Sequence, residues 1–460
     1  MKKVICFLLM LSLLLTLCGC QSDAKPASAK RSGEKAFTLH IIGPWPEFKA
    51  LDVVTAAYRQ LYPGAVVEYE YMQNSTEMLP KRLEANEDVD IFISDNIEYE
   101  TSAYYPYALD LYSRADALNL DNTFSGLIAN YEFKGGAEGE ARLYSIPMGG
   151  EVRGLYVNKT LLESVGIAQL PQNRAELLAD CQVLKDAGYI ALHGNPGVFA
   201  QQLMYPEIAN RIANAGDGGA LWKQINEHGA DVADLFADEM AFVYSLAENG
   251  YYDYKTAASE LGLFDSMDDE EKACSFLNIL SDGEGRTKKD DVGQAAFVPG
   301  VMSLTPLLEK TKADYHSAIE YEFMLAPVGA EDGGYAYLSP AHAIAINKNS
   351  PRLEEALAYF NCMFSAEVSP AFAAEYGIVP NVKDAFEQIK ALFSIPENHI
   401  SQLGQVTFDY SFYNVIVAEL VIVSKANNPK YMIDNGDGTY SMHPLDEYMQ
   451  ELRARFAEVQ

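Results

Sequence analysis

From residue 37 to residue 95 the chain runs strand, helix, strand, helix, strand, and that succession restricts the fold more than any other feature. "FTLHII" (37–42) alternates apolar and polar residues and is β-rich, and "EFKALDVVTAAYRQLYPG" (47–64) then carries apolar residues at helical spacing up to a Pro-Gly stop. "AVVEYEYM" (65–72) is a second alternating strand and "TEMLPKRLEANED" (76–88) a helix with Thr76 as its expected N-cap. "VDIFISD" (89–95) is a third, nearly all-apolar strand. A βαβαβ order demands a parallel sheet with helices on its faces, and ligands of such sheets bind beyond the carboxyl ends of the strands. Those ends carry "GPWPE" and "SDN".

The middle of the chain has a different texture. From about Phe199 to Asp290 helical patterns dominate, as in "DVADLFADEMAFVYSLAENGYYD", so a mostly helical insertion or subdomain is expected there. Strands return in "VGQAAFV", "EYEFMLAPV" and "HAIAIN", followed by the helix "SPRLEEALAYFNCMFS" with Pro351 in its first turn. A chain of 460 residues exceeds what one core usually organises, so two or more domains are expected.

The N-terminus is a targeting segment. Lys2 and Lys3 precede an apolar run from Val4 to Leu17, shorter than the ~20 residues that span a bilayer. Its ending, "LCGC", resembles a bacterial lipoprotein signal, in which Cys20 takes lipid and becomes the mature N-terminus. Residues 1–20 are then the signal, and the small, polar stretch 21–36 is a flexible tether. The other mature cysteines, Cys181, Cys274 and Cys362, are odd in number and far apart. They suit buried apolar positions better than a disulfide framework. A formal net charge of −31 excludes nucleic acid as a partner and repels anionic lipid, which leaves the Cys20 anchor as the expected membrane contact.

Motifs for chemistry are missing. There is no HExxH, GxSxG, GxxxxGK[ST] or GxGxxG pattern, and the seven histidines include no pair at helix-face metal spacing, so neither catalytic residues nor a metal or other cofactor is expected. "SDGEGRTKKDD" and "IDNGDGTYS" are acidic and Gly-rich but read as turns, without calcium-loop spacing. Glu151 stands out in "YSIPMGGEVRGLYVNK" (144–159), where two short strands flank a Gly-Gly kink. A lone acid beside flexible backbone can grip a bound solute, whereas catalytic carboxylates work in pairs or beside a nucleophile or metal. The chain holds 29 Tyr and 21 Phe, whose faces pack on apolar ligand surfaces, including the C–H face of sugars. Five of the tyrosines crowd into "EYETSAYYPYALDLY", for which core packing and a ligand wall are both open.

Several stretches together resemble the extracellular solute-binding proteins of ABC importers, in the carbohydrate-type branch that includes maltose-binding protein. They are "LYSIPMGGEVRGLYVNKTLLESVGI", "LPQNRAELLADCQVLKDAGY" with Asn173 and Glu176 as a capping box, "VGQAAFVPG", "LAPVGAEDGGYAYLSPAHAIAINKNSPRLEEALAYFNCMFSAE" and "YGIVPN". Their order and spacing carry the resemblance over most of residues 37–395. It implies an α/β, two-lobed periplasmic-binding-protein-like fold with a strand-crossing hinge and a helical insertion in the second lobe. The first lobe would comprise 37–146 plus 339–395, and the second 148–337 plus 396–460.

The resemblance also implies a role for particular residues. Glu151 holds the place of a sugar-contacting glutamate, Trp45, Glu47 and Asp95 follow the first and third strands, and Tyr335, Tyr337 and His342 flank the return crossing. It implies a monomeric, lipid-anchored, non-catalytic receptor on the outer face of the cell membrane, or in a periplasm where an outer membrane exists. Its solute would be an oligosaccharide and its partners ABC permease subunits. One departure is visible: where sugar-binding members often present a Trp after the Gly-x-Ala-Ala stretch, this chain has Pro299, Val301 and Met302. The residues themselves leave open a surface carbohydrate-active enzyme, with carboxylates meeting only in the fold, and an accessory solute sensor.

Overall fold

The computed structural model describes residues 36–45, 47–72, 75–85, 87–94, 103–118, 120, 132–133, 141–194, 233–252, 295–314, 317–327, 329, 336–381, 400–402 and 410–459. The expected signal, nearly all of the tether, Cys20, Asp95, Tyr335, Cys274 and most of the helical stretch from 199 to 290 lie outside these residues. Of that stretch, the 3-10 turn Ala233–Phe236 and the helix Ala237–Glu248 are described.

Two β-rich sheets organise the chain. β1 (Phe37–Gly43) is paired in parallel with β2 (Ala65–Tyr71) along its whole length and with β3 (Ile91–Ser94) on its other edge. Leu39 and Ile41 of β1 and all four residues of β3 are buried, which is what alternation and an all-apolar run respectively require. The helix Ala50–Leu61 lays Leu51, Val54 and Tyr58 on this sheet. Its neighbour Leu353–Met363 is tied to it by the Tyr58 hydroxyl donating to the Glu355 carbonyl at 3.0 Å and by a Thr55–Tyr359 hydroxyl pair at 3.2 Å. The second helix begins at Ser75, so Thr76 lies inside its first turn and is not the N-cap.

After the short ribbon of β4 (Glu132–Phe133) and β5 (Arg142–Leu143), the chain reaches β6 (Ile146–Pro147) and β7 (Gly149–Asn158). β6 belongs to the first sheet and β7 to the second, so the chain changes sheets at Met148. The Gly-Gly pair is therefore not a kink. Both glycines are extended residues of β7, and glycine is needed because a Cβ on Gly149 would lie 2.5 Å from the Val379 carbonyl oxygen.

β7 is the spine of the second sheet. β8 (Ile190–Leu192) and β9 (Ala295–Val301) extend it on one side, while β10 (Tyr321–Met324), β11 (Ala336–Pro340) and β14 (Ile400–Gln402) lie on the other. The chain returns to the first sheet in β12 (Ala343–Ile346), antiparallel to β3, and crosses again from the helix Ser369–Tyr376 into β13 (Val379–Pro380), which pairs with Gly149 and Gly150. Met148 N–H donates to the His342 carbonyl at 3.0 Å and Ala341 N–H to the Gly149 carbonyl at 2.8 Å, binding two crossings side by side.

Each sheet has its own core. The first gathers Leu39, Ile41, Ile93, Ile344, Phe360 and Phe372; the second gathers Leu155, Val157, Phe236, Phe297, Leu420 and Phe456. The C-terminal helices Tyr410–Ser424 and Leu445–Val459 join the second core, with β15 (Ile433–Asp434) and β16 (Tyr440–Ser441) forming an exposed hairpin between them. That hairpin is the "IDNGDGTYS" stretch, and Gly436 and Gly438 take φ of 79° and 86° there, as turn residues do. Asn158 and Asn173 cap the helices that follow them, while Glu176 accepts from Gln172 N–H at 2.8 Å, a capping box displaced by one residue. Cys181 and Cys362 are buried, as expected of apolar-site cysteines.

Candidate functional site

The first half of the site grows from the carboxyl end of β1. Gly43 closes that strand, and a Cβ there would stand 2.5 Å from the Tyr69 hydroxyl oxygen, so glycine lets Tyr69 reach across. That hydroxyl donates to the Trp45 carbonyl at 3.0 Å and accepts from the Trp45 N–H at 3.2 Å, fixing the backbone that carries the indole. Burial pushes the Tyr69 hydroxyl up to about 12, so it stays a neutral donor at any physiological pH.

The half-buried Trp45 ring then meets three others. Its centroid is 4.4 Å from His342 in an edge-on arrangement, 4.5 Å from Phe48 and 5.8 Å from Tyr376. The Tyr376 hydroxyl is 3.4 Å from His342 Nδ1, and His342 sits on the crossing between β11 and β12.

The second half belongs to β7. Glu151 is half-buried, pairs through its backbone with Ser339 of β11, and accepts a hydrogen bond from the Ser303 hydroxyl. Ser303 lies in the 3-10 turn Met302–Leu304. The Tyr156 hydroxyl holds both ends of that turn, donating to the Val301 carbonyl at 2.9 Å and accepting from the Thr305 hydroxyl at 2.8 Å. Burial first, then the charge of Glu151, pushes the Tyr156 hydroxyl upward and keeps it protonated.

Gly377 joins the halves. It follows Tyr376, caps that helix with φ of 77°, and a Cβ on it would lie 2.8 Å from Ser303 Cα and 2.9 Å from the Met302 carbonyl oxygen. Aromatic surface, a hydroxyl-bearing ring and a carboxylate acceptor thus converge where the two sheets exchange strands. Such a set can stack on and hydrogen-bond a solute; among the described residues no group of three or more His, Cys, Asp or Glu could hold a metal ion.

Of the residues singled out in the sequence, Trp45 and His342 are in direct ring contact, and Glu151 adjoins them through Tyr376, Gly377 and Ser303. Glu47 is exposed and pairs with Lys49 at 3.7 Å. Tyr337 stands on β11 opposite Ser401, its side chain outside the described residues, as are Asp95 and Tyr335 altogether. The crowded tyrosines serve packing where they are described: Tyr104 is buried in the first core, and Tyr105, Tyr107 and Tyr112 lie against it.

Sequence reasoning missed Ser303 and Tyr376. Tyr376 was flagged only by the Gly-capped helix end in "YGIVPN", and Ser303 by nothing local.

A model of the family described as bacterial extracellular solute-binding protein matches residues 43–370. Solved structures share the fold over almost the whole chain. A family 1 extracellular solute-binding protein from Bifidobacterium longum subsp. infantis is 15% identical with a TM-score of 0.56, covering 92% of this chain and 100% of its own. The GacH receptor of Streptomyces glaucescens, solved unliganded and with acarbose, is 13% identical with a TM-score of 0.58, covering 93% and 99%. A sugar transporter from Bacillus licheniformis in complex with stachyose is 14% identical with a TM-score of 0.53, covering 92% and 100%. A search of curated proteins finds no match.

Proposed function

The chain belongs to the bacterial extracellular solute-binding protein family, and on that footing we propose that it captures an oligosaccharide between two lobes and delivers it to an ABC permease. The observation that carries this reading is the meeting of the Trp45–His342–Tyr376 rings with the Glu151 acceptor at the strand crossings. Aromatic faces suit the C–H faces of sugar rings, and an ionised carboxylate accepts from sugar hydroxyls. The stachyose and acarbose complexes of fold neighbours are consistent with such a solute.

The lobes are 37–146 plus 339–395 and 148–337 plus 396–460, with Glu47, Asp95, Tyr335 and Tyr337 as further contacts. A ligand touching both lobes favours the closed arrangement by its differential affinity, and the closed complex is what the permease receives. The receptor works as a monomer held to the membrane through Cys20 and performs no chemistry on its solute.

The test is calorimetry and thermal shift of residues 21–460 with stachyose, raffinose, mannobiose and maltose. A sugar at about 100 times its dissociation constant adds roughly 2.7 kcal/mol of stability. Trp45→Ala and Glu151→Ala should each weaken binding by tenfold or more, on the order of 1.4 kcal/mol, without unfolding the protein. Wild-type affinity in both variants would place the ligand elsewhere, and turnover of the sugar would replace the receptor by an enzyme.

A further inference from the structure

We propose that the solute site continues along the end of the first sheet to Tyr71, and that this tyrosine stacks on the outermost ring of a sugar chain longer than a disaccharide. The inference rests on the reading of the Trp45–Glu151 region as an oligosaccharide site. The strands of that sheet lie in the order β2, β1, β3, β12, β6, and the carboxyl ends of β1, β2 and β3 stand on the side where β12 begins. Trp45, just past β1, has its ring centroid 4.4 Å from that of His342, just before β12. Tyr71 is the last residue of β2 and is level with Gly43, the last of β1. Three strand spacings of about 4.8 Å separate β2 from β12, roughly 14 Å in all. A disaccharide held at the crossings does not cover that span, whereas a longer chain does.

Tyr69 and Tyr71, two residues apart on β2, share a strand face. The Tyr69 ring passes over Gly43 and its hydroxyl is bound to the Trp45 backbone. Burial raises the Tyr69 hydroxyl, the bond to Trp45 opposes that, and the Tyr71 phenol adds to it, so the two phenols are close. Their roles differ. Tyr69 is half-buried and holds the backbone in place, while Tyr71 is 41% exposed, and among the described residues its ring meets no other ring and its hydroxyl makes no hydrogen bond. Packing asks for no aromatic there, and the other solvated positions toward that end of β2, Glu68 and Glu70, are charged. An exposed phenol at the end of a line of rings can lie on the C–H face of a sugar and exchange hydrogen bonds with its hydroxyls.

The experiment is calorimetric titration of wild type, Tyr71→Ala and Tyr71→Phe with series that lengthen one sugar at a time: maltose to maltotetraose, mannobiose to mannotetraose, and melibiose, raffinose and stachyose. In the series that binds, wild-type affinity should rise from disaccharide to tetrasaccharide. Tyr71→Ala should lower the tetrasaccharide affinity about threefold to tenfold more than the disaccharide affinity, the size of one aromatic contact, and Tyr71→Phe, which keeps the ring, should retain most of the gain. A purely structural role for Tyr71 lowers both affinities alike. Equal losses for short and long sugars, or no loss, overturn this inference alone. So does a wild type that binds its disaccharide as tightly as its tetrasaccharide. Failure of the wild type with every series overturns it together with the oligosaccharide reading.

Discussion

Gly377→Ala should destabilise the protein by roughly 2–5 kcal/mol, and the two parts of that figure can be separated. A non-glycine residue at φ of 77° costs about 1–2 kcal/mol from backbone sterics. The added methyl would also stand 2.8 Å from Ser303 Cα and 2.9 Å from the Met302 carbonyl oxygen, and both are backbone atoms. Tyr156 pins the segment on either side of them, so the clash is relieved only by shifting a strand crossing, an overpacking cost of about 1–3 kcal/mol. Gly166 is the control: its φ is 86°, but a Cβ there meets nothing within 4 Å, so Gly166→Ala should lose only the backbone part. Urea unfolding followed by circular dichroism, with the midpoint and slope fitted for both variants, measures the difference. If Gly377→Ala costs no more than Gly166→Ala, the tight junction between the crossings is not real.

Three further outcomes are expected. Glu419, buried between the C-terminal helices, is pushed from 4.5 to about 7 because burial outweighs the lowering effect of Arg455, 2.7 Å away. Its folded state holds a proton that the unfolded state gives up, so it subtracts stability progressively from about pH 4.5 to 7; Glu419→Gln should therefore flatten the fall in Tm between pH 5 and 7, and an unaltered profile would refute this. Asp90 is fully buried and accepts from His40 N–H at 2.8 Å, the Ser350 hydroxyl at 2.5 Å and Arg352 Nε at 2.9 Å. Asp90→Ala should cost about 3–5 kcal/mol by stranding those donors, and a change in unfolding free energy below ~1 kcal/mol would show that the network is incidental. Cys20→Ala should move the protein from membrane to medium on cell fractionation, and retention in the membrane would remove the lipid anchor from the account.

Much of the fold was legible because burial leaves a local period. "FTLHII" alternates through Ile41 because one face of β1 is packed there, although Ile42 is buried as well, and the helix Ala50–Leu61 repeats its apolar residues because one stripe faces the core. The same logic misplaced the Gly-Gly pair. Glycine marks either a bend or a close approach, and only the position of Val379, more than two hundred residues away, decides for the second. Thr76 failed as an N-cap for a smaller reason: the neighbouring Ser75 already begins the helix. Glu151 could be singled out as a lone acid beside the Gly-Gly pair, and Trp45 by the resemblance to the family, which places contacts just past the first strand. Ser303 and Tyr376 are ordinary residues whose partners are distant.

The sequence by itself determined the strand and helix types of the opening stretch, its parallel βαβαβ order and the chain's acidic character. Tertiary structure alone decided that β12 returns beside β3, that Met148 is where the chain changes sheets, and that a serine 152 positions along the chain satisfies Glu151. The division has one cause. Periodicity records which side of an element is buried, whereas the partner it is buried against is set by where the chain crosses, and crossings leave no repeat in the sequence.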